Sequence, residues 1–141
     1  MKFGEEVKDL FSVSNDYFLA HCISADAKMG AGIAVKFKRR FKLWEFQKVA
    51  QETGLKVGSC AMVGRVLNLI TKECYWHKPT YLTFRAALVN MKKIALKHEI
   101  DKIAMPQIGA GLDRLDWEKN KEIIQDVFKD TDVEILVCKL K

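Results

Sequence analysis

The stretch His21-Cys-Ile-Ser-Ala-Asp-Ala-Lys-Met-Gly-Ala-Gly-Ile-Ala34 sets the terms for the whole chain. It closes a short apolar run, residues 17–23, with a polar turn. The turn delivers Met29, Gly30, Ala31 and Gly32 to a helix-like segment that begins near Ile33. Strand, glycine turn and helix N-terminus together suit an anion. Glycine lets the backbone come close, free N–H groups point outward, and the helix dipole adds positive potential. Gly-Ala-Gly by itself also reads as a tight strand-to-helix connection.

A second glycine turn, Met105-Pro-Gln-Ile-Gly-Ala-Gly-Leu-Asp-Arg-Leu115, strengthens the anion reading. It follows an apolar strand at 102–105 and precedes a helix from about Asp116. In an open α/β sheet, ligands sit beyond the carboxyl ends of the strands, where such loops gather. Two of them fit a ligand with two phosphates, or with one phosphate and a sugar. Neither is a Walker A loop, because no Gly-Lys-Ser/Thr follows, and neither carries the third glycine of a dinucleotide fingerprint.

The rest of the chain supplies the frame for these loops. Residues 7–11 read as the end of a first strand entering a turn, and 18–23 as a buried strand. Helical spacing covers 33–41 and 43–51, with Gly54 as the stop. The β-type runs 59–63 and 66–71 flank Gly64-Arg65, which is a hairpin signal. Residues 72–79 form a loop carrying Tyr75 and Trp76. Thr80 caps a long helix to about His98, whose Tyr81, Phe84, Leu88, Met91 and Ala95 share one face. Asp116 is placed to cap a helix bearing Trp117, Ile123, Ile124, Val127 and Phe128, and 133–137 is the final strand. Strands interspersed with helices predict a three-layer α/β/α sandwich with a mixed central sheet, since a hairpin cannot be parallel.

Bulk properties limit the function classes. The 141 residues are 49% hydrophobic and 30% charged, which fits one globular domain, 1–141, with a real core. No apolar run reaches the ~20 residues of a membrane span. Met1-Lys-Phe-Gly-Glu-Glu opens no signal peptide. A cytoplasmic or nuclear setting without membrane association is therefore expected. Cys22, Cys60, Cys74 and Cys138 are scattered without a Cys-x-x-Cys pair, so reduced, mostly buried thiols are expected rather than a metal centre or disulfides. The net charge of +6 is densest at Lys36, Lys38, Arg39, Arg40 and Lys42. This cluster reads as a solvated helix face that also raises the potential near a phosphate site, or as a contact for nucleic acid.

A few side chains could carry chemistry. Asp113 follows Gly111-Leu112, where a carboxylate either faces the loop's ligand or caps the next helix; the residues alone leave both open. Lys72 ends the strand at the functional edge. It is either a solvated surface amine or, beside an apolar sugar pocket, a partly neutral nucleophile toward a carbonyl-like carbon. Asp9 could accept from an exocyclic amine. His21 and His77 lack partners at metal-ligand spacing and read as structural. Tyr75 and Trp76 could stack a base or pack as a lid.

With those residues in hand, the chain resembles a macrodomain, specifically the terminal ADP-ribose protein glycohydrolase subgroup. The matching segments, in family order, are Lys8-Asp-Leu-Phe11, Ala20-His-Cys-Ile-Ser24, Lys28-Met-Gly-Ala-Gly-Ile-Ala-Val35, Leu69-Ile-Thr-Lys72, His77-Lys-Pro-Thr-Tyr81, Met105 through Leu115 and residues 132–140. The resemblance implies ADP-ribose bound across the carboxyl edge of the sheet, with no cofactor and no metal. It places Asp9, with Leu10, at adenine. Ser24 and the loop of Met29, Gly30, Ala31, Gly32, Ile33 and Ala34 fall at the distal ribose and diphosphate. Gln107, Ile108, Gly109, Ala110, Gly111 and Leu112 form the second diphosphate loop, with Pro106 and Thr71 also in the binding set. Lys72 corresponds to the catalytic lysine and Asp113 to the catalytic aspartate. Two positions depart from the family. Lys8 stands where glycine is usual, and Cys138 where an aromatic is expected; both lie at the adenine end.

The function so implied is a hydrolase of the ADP-ribosyl glycohydrolase or O-acyl-ADP-ribose deacylase type. It would act as a monomer on ADP-ribosylated protein carboxylates, or on related ester or nucleic-acid acceptors. A non-catalytic ADP-ribose reader would need the same loops but neither Lys72 nor Asp113.

Overall fold

A computed structural model describes residues 1–140. Six strands form one sheet in the order β1-β6-β5-β2-β4-β3. The strands are β1 (Lys2–Val7), β2 (Phe18–Ser24), β3 (Cys60–Val63), β4 (Val66–Lys72), β5 (Lys102–Met105) and β6 (Glu134–Lys139). All neighbours are parallel except β3 and β4, the hairpin turned at Gly64, whose φ of 56° a residue with a Cβ adopts only at a cost. The helices are α1 (Ile33–Arg40), α2 (Trp44–Thr53), α3 (Tyr81–Lys97) and α4 (Trp117–Phe128).

The pleat distributes side chains to two cores. Leu67 and Leu69 of β4, Ile103 and Met105 of β5, and Ile135 and Val137 of β6 meet Phe84, Leu88 and Met91 of α3 and Ile124 and Phe128 of α4. The alternate residues Val66, Ile70, Leu19, Ile23 and Ala104 face Phe37 of α1 and Leu43 just before α2. A strand covered on both sides needs apolar residues at both parities, which is why β4 reads as a nearly unbroken apolar run. The layers are helices, sheet, helices.

Three details differ from the reading of the sequence. The first strand is Lys2–Val7, and the residues after it form a 3-10 turn, Leu10–Ser12. Asp9 caps that turn, its Oδ1 accepting the Phe11 N–H at 3.0 Å. The last strand starts at Glu134 and runs on to Lys139. Asp116 holds the N-cap position of α4, but its side chain makes no capping bond. At α3, by contrast, Thr80 and Thr83 form a reciprocal capping box.

The topology opens a crevice. The chain steps from β2 to β4 on one side of the sheet, then crosses to β5 on the other. β2 pairs with β5 only at Phe18↔Ile103 and Leu19↔Ala104. Pro106, which has no N–H to offer a ladder, follows β5 directly, while β2 continues to Ser24. The end of β2 is thus left without a strand partner on that side. Such a switch point is where open α/β sheets hold ligands.

Candidate active site

The first glycine loop is fixed by hydrogen bonds around Asp26. A β-bulge between Ile23 and Ser24 ends the regular register with β4, and Ala25 N–H then reaches the Lys72 carbonyl at 2.7 Å. Asp26 Oδ1 accepts from the Ser24 hydroxyl and from the Lys28 N–H at 3.3 Å; its Oδ2 accepts from the Tyr75 N–H at 3.0 Å. Burial works against the Asp26 carboxylate, but the hydrogen bonds from Ser24, Tyr75 and Lys28 outweigh it and hold its pKa below the ordinary value. From α2, Gln47 Nε2 donates to the carbonyls of Ala27 at 2.9 Å and Lys28 at 2.8 Å. With both ends pinned, Ala27 and Met29 are held at φ 50° and 44°, a conformation that other L-residues avoid unless it is enforced. The N–H groups of Gly30, Ala31 and Gly32 find no acceptor among the described residues.

The second loop is packed from beneath. Gly109 has φ 74°, and a Cβ there would stand 2.8 Å from Asn120 Nδ2 and 3.1 Å from the Phe84 ring. Asn120, fully buried on α4, donates to the Ile108 carbonyl at 3.1 Å, and Leu115 N–H returns to Gly109 O at 2.8 Å. The loops touch across the crevice, since Leu112 Cδ1 lies 3.1 Å from where a Cβ of Gly32 would be.

Between the loops lies a cleft of about 690 Å³, within the range of small-molecule sites. At its β4 end Lys72 Nζ sits 2.7 Å from Asp113 Oδ1, and each side chain is only 14% exposed. Residues 41 positions apart in the chain therefore share one hydrogen bond. Cys22 lies close by; burial, with the Asp113 charge adding to it, pushes its thiol pKa far up, so it is an inert thiol at neutral pH. Cys22, Cys60 and Cys74 are half-buried rather than buried, and all four cysteines are free.

The histidines are held by the fold. His21 is fully buried, stacks on Phe37 with centroids 3.9 Å apart, and has Nε2 2.6 Å from Asn68 Oδ1. Asn68 Nδ2 donates to the Ala61 carbonyl, which fixes the amide orientation and makes His21 Nε2 the donor. Burial pushes the imidazole down to about 4. His77 Nδ1 accepts the Cys74 N–H at 3.2 Å.

The structure brings most of the sequence-derived set into this one cleft. Asp9, Leu10, Ser24, Met29, Gly30, Ala31, Gly32, Ile33, Ala34, Lys72, Pro106, Gln107, Ile108, Gly109, Gly111, Leu112 and Asp113 all line it. Thr71 and Ala110 do not. Thr71 is buried one position before Lys72, and strand alternation turns it away from Lys72's side; its carbonyl accepts the Thr83 hydroxyl at 2.7 Å. Ala110 lies inside the turn, with its N–H directed to the Gln107 carbonyl at 3.3 Å. Asp9 lines the cleft but already caps the 3-10 turn through Oδ1. Phe11, Cys22 and Leu140 also line the cleft without having been singled out for it. Phe11 carried a signal in its position beside Asp9-Leu10; Cys22 reads as a core residue of an apolar strand. Among the described residues, no group of three or more His, Cys, Asp or Glu could hold a metal ion.

The sandwich and its double-loop cleft define an α/β module with a ligand-sized crevice at the carboxyl ends of its central strands. Comparison with known proteins gives the family. The Macro domain model matches residues 20–124, and the chain belongs to that family. It is 44% identical over 133 residues to the ADP-ribose glycohydrolase OARD1 of Bos taurus, covering 94% of this chain and 88% of that protein. The DNA ADP-ribosyl glycohydrolase of Mycobacterium tuberculosis is 25% identical over 122 residues, 79% of this chain and 34% of that protein. Among solved structures, the macrodomain of Mycobacterium tuberculosis DarG superposes with a TM-score of 0.88 at 22% identity, covering 99% of this chain and 97% of that one. At that identity the structural likeness shows the fold alone.

Proposed function

We propose that this chain is a hydrolase that binds ADP-ribose and releases it, as a terminal unit, from an acceptor joined to its distal ribose. The observation that carries the reading is the Lys72–Asp113 contact of 2.7 Å at one end of a cleft lined by both glycine loops. A protein that only bound ADP-ribose would need the loops but not this pair. The relatedness to proteins named ADP-ribose glycohydrolase supports a hydrolase.

The loops supply binding. Gly30, Ala31 and Gly32 present free N–H groups at the start of α1, and the second loop faces them, so the diphosphate fits between. Charge-assisted bonds to pre-oriented N–H groups are among the stronger hydrogen bonds available.

The pair supplies chemistry. The acceptor is attached at the anomeric carbon, an electrophile whose carboxylate leaving group is a fair one. Lys72 attacks as the neutral amine, so its proton must first leave, and Asp113 is the base within reach. The C–N bond forms as the bond to the acceptor oxygen breaks, with the electron pair leaving on the carboxylate. The new nitrogen cation gives one proton to solvent, Asp113 returns its own to the ring oxygen, and the freed lone pair opens the sugar to a protonated imine on Lys72. Water adds to the imine carbon, the C–N bond breaks, and ADP-ribose leaves as the aldehyde or its closed ring. The sum is one water consumed per bond cleaved. Incubation with an ADP-ribosylated glutamate peptide should release ADP-ribose with the wild-type protein but not with Lys72→Ala, while calorimetry shows ADP-ribose binding to both. Binding without turnover in the wild type would make the module a reader.

A further inference from the structure

The proposed chemistry leaves one charge without a partner. The electron pair departs on the acceptor carboxylate, while Asp113 is engaged first with the Lys72 amine and then with the ring oxygen. The cleft crosses the carboxyl ends of β6, β5, β2 and β4 in that order. The glycine loops follow β2 and β5, and Lys72 ends β4. A group attached to the reacting carbon therefore lies beyond Lys72, beside residues 73–79. Three side chains of that segment line the cleft and carry a donor: Tyr75, Trp76 and His77. Lys28 is a fourth, with Nζ 5.5 Å from the centre of the Tyr75 ring.

Exposure and fixation separate these four. Tyr75 and Trp76 are 56% and 70% exposed, and Lys28 is exposed too, so water competes with any bond they make. His77 is half-buried, with Trp76 packed edge-on against its ring at 4.1 Å between centroids. It is tied twice to Cys74. Its N–H donates to the Cys74 carbonyl at 3.0 Å, and its Nδ1 accepts the Cys74 N–H at 3.2 Å. The turn itself hangs on Asp26, which accepts the Tyr75 N–H and donates its own N–H to the Glu73 carbonyl at 3.1 Å. A backbone N–H can only donate, so Nδ1 carries the lone pair and the ring is neutral, with its proton on Nε2. Nothing among the described residues accepts that proton. A donor fixed in place beforehand suits a charge that appears only as a bond breaks. Being uncharged, it also holds the released carboxylate less tightly than an ammonium would.

Resting on the hydrolase reading, we infer that His77 Nε2–H is the hydrogen-bond donor to the leaving carboxylate. His77 keeps its proton, and the carboxylate departs as the anion. Two variants isolate the donor. His77→Asn keeps an oxygen near Nδ1 for the Cys74 N–H and removes the Nε2–H, while His77→Gln restores an N–H at about the reach of Nε2. The substrates are two anomeric esters of ADP-ribose, one of benzoate and one of 4-nitrobenzoate, the less basic leaving group. His77→Asn should slow single-turnover cleavage of the benzoate ester on the order of a hundred-fold. Its affinity for ADP-ribose, which has no acceptor, should stay unchanged by calorimetry. The loss should be smaller on the 4-nitrobenzoate ester, because a less basic oxygen gains less from the bond. His77→Gln should be faster than His77→Asn on the benzoate ester. A wild-type rate in His77→Asn, equal losses on the two esters, or a His77→Gln no faster than His77→Asn would each overturn the assignment; equal losses would leave His77 a part of the turn alone. The hydrolase reading is scored on the wild-type protein. No release of ADP-ribose from either ester removes both readings, whereas release that survives His77→Asn removes only the donor.

Discussion

Lys72 and Asp113 share one hydrogen bond, yet in the proposed reaction they do different work, and their variants should fail differently. Lys72→Ala removes the nucleophile, so turnover and adduct are both lost. Asp113→Ala keeps the amine, which must then lose its proton to solvent, so the adduct forms slowly; it also removes the group that resolves the adduct. An adduct on Lys72 should then accumulate, with the mass of ADP-ribose less one water. Borohydride, which adds two hydrogens across an imine, should make it permanent, and mass spectrometry of the intact protein reads it directly. Full activity in Lys72→Ala would leave Asp113 and a water as the catalysts and end the covalent route. A structural residue gives a second contrast. Gly109→Ala combines a left-handed backbone with a Cβ 2.8 Å from Asn120, while at Gly111 a Cβ would meet nothing within 4 Å. The first change should cost between about 2 and 5 kcal/mol. Gly111→Ala should leave the urea midpoint unmoved.

At the scale of elements, the two glycine loops are the proposed binding units, and the structure separates the variants that test them cleanly. A glutamate at Gly32 must adopt φ 61° and displace Leu112, so lost binding there would mix strain with charge. Gly111→Glu faces no such conflict. It should retain the fold by circular dichroism and lose ADP-ribose affinity by about three orders of magnitude, since two like charges ~4 Å apart repel by about 4 kcal/mol at an effective dielectric of 20. Unchanged affinity in that variant would move the diphosphate elsewhere. These loops were legible in the sequence because the glycines, the apolar strands before them and the helix starts after them lie within a few residues of one another. β4, α3 and the hairpin were legible for the same local reasons. β1 was mostly hidden, because Lys-Phe-Gly-Glu-Glu-Val is charged and its place at the sheet edge is decided by pairing with β6, more than 130 residues later. The role of Asp26 was hidden too. It sits in the opening stretch with no mark of its own, and only the folded chain brings Ser24, Lys28 and Tyr75 to its two oxygens.

For the whole molecule, the most exposed point to acid is at its centre. His21 belongs to β2 and is paired with Asn68 of β4, just past the point where the pairing of β2 with β5 ends. Buried against Phe37, it is held down to about 4, against 6.5 for the free side chain. A pKa lower in the folded state means that the unfolded chain binds more protons between those values, so stability falls as pH drops from 6.5 toward 4. The buried imidazole alone should account for about 3 kcal/mol of that loss. Glu5, held low chiefly by the Trp117 indole N–H, and Asp26, whose hydrogen bonds outweigh its burial, lose stability in the same direction, but as carboxylates they do so at lower pH. His21→Gln separates the contributions, because an amide can still donate to Asn68 and does not titrate. Urea unfolding at pH 7.5, 6, 5 and 4.5 should show a steeper decline in the wild type than in the variant, the difference approaching one proton near pH 5. Parallel declines would mean that the imidazole is reached by solvent in the native state, and the acid sensitivity would then belong to the carboxylates alone.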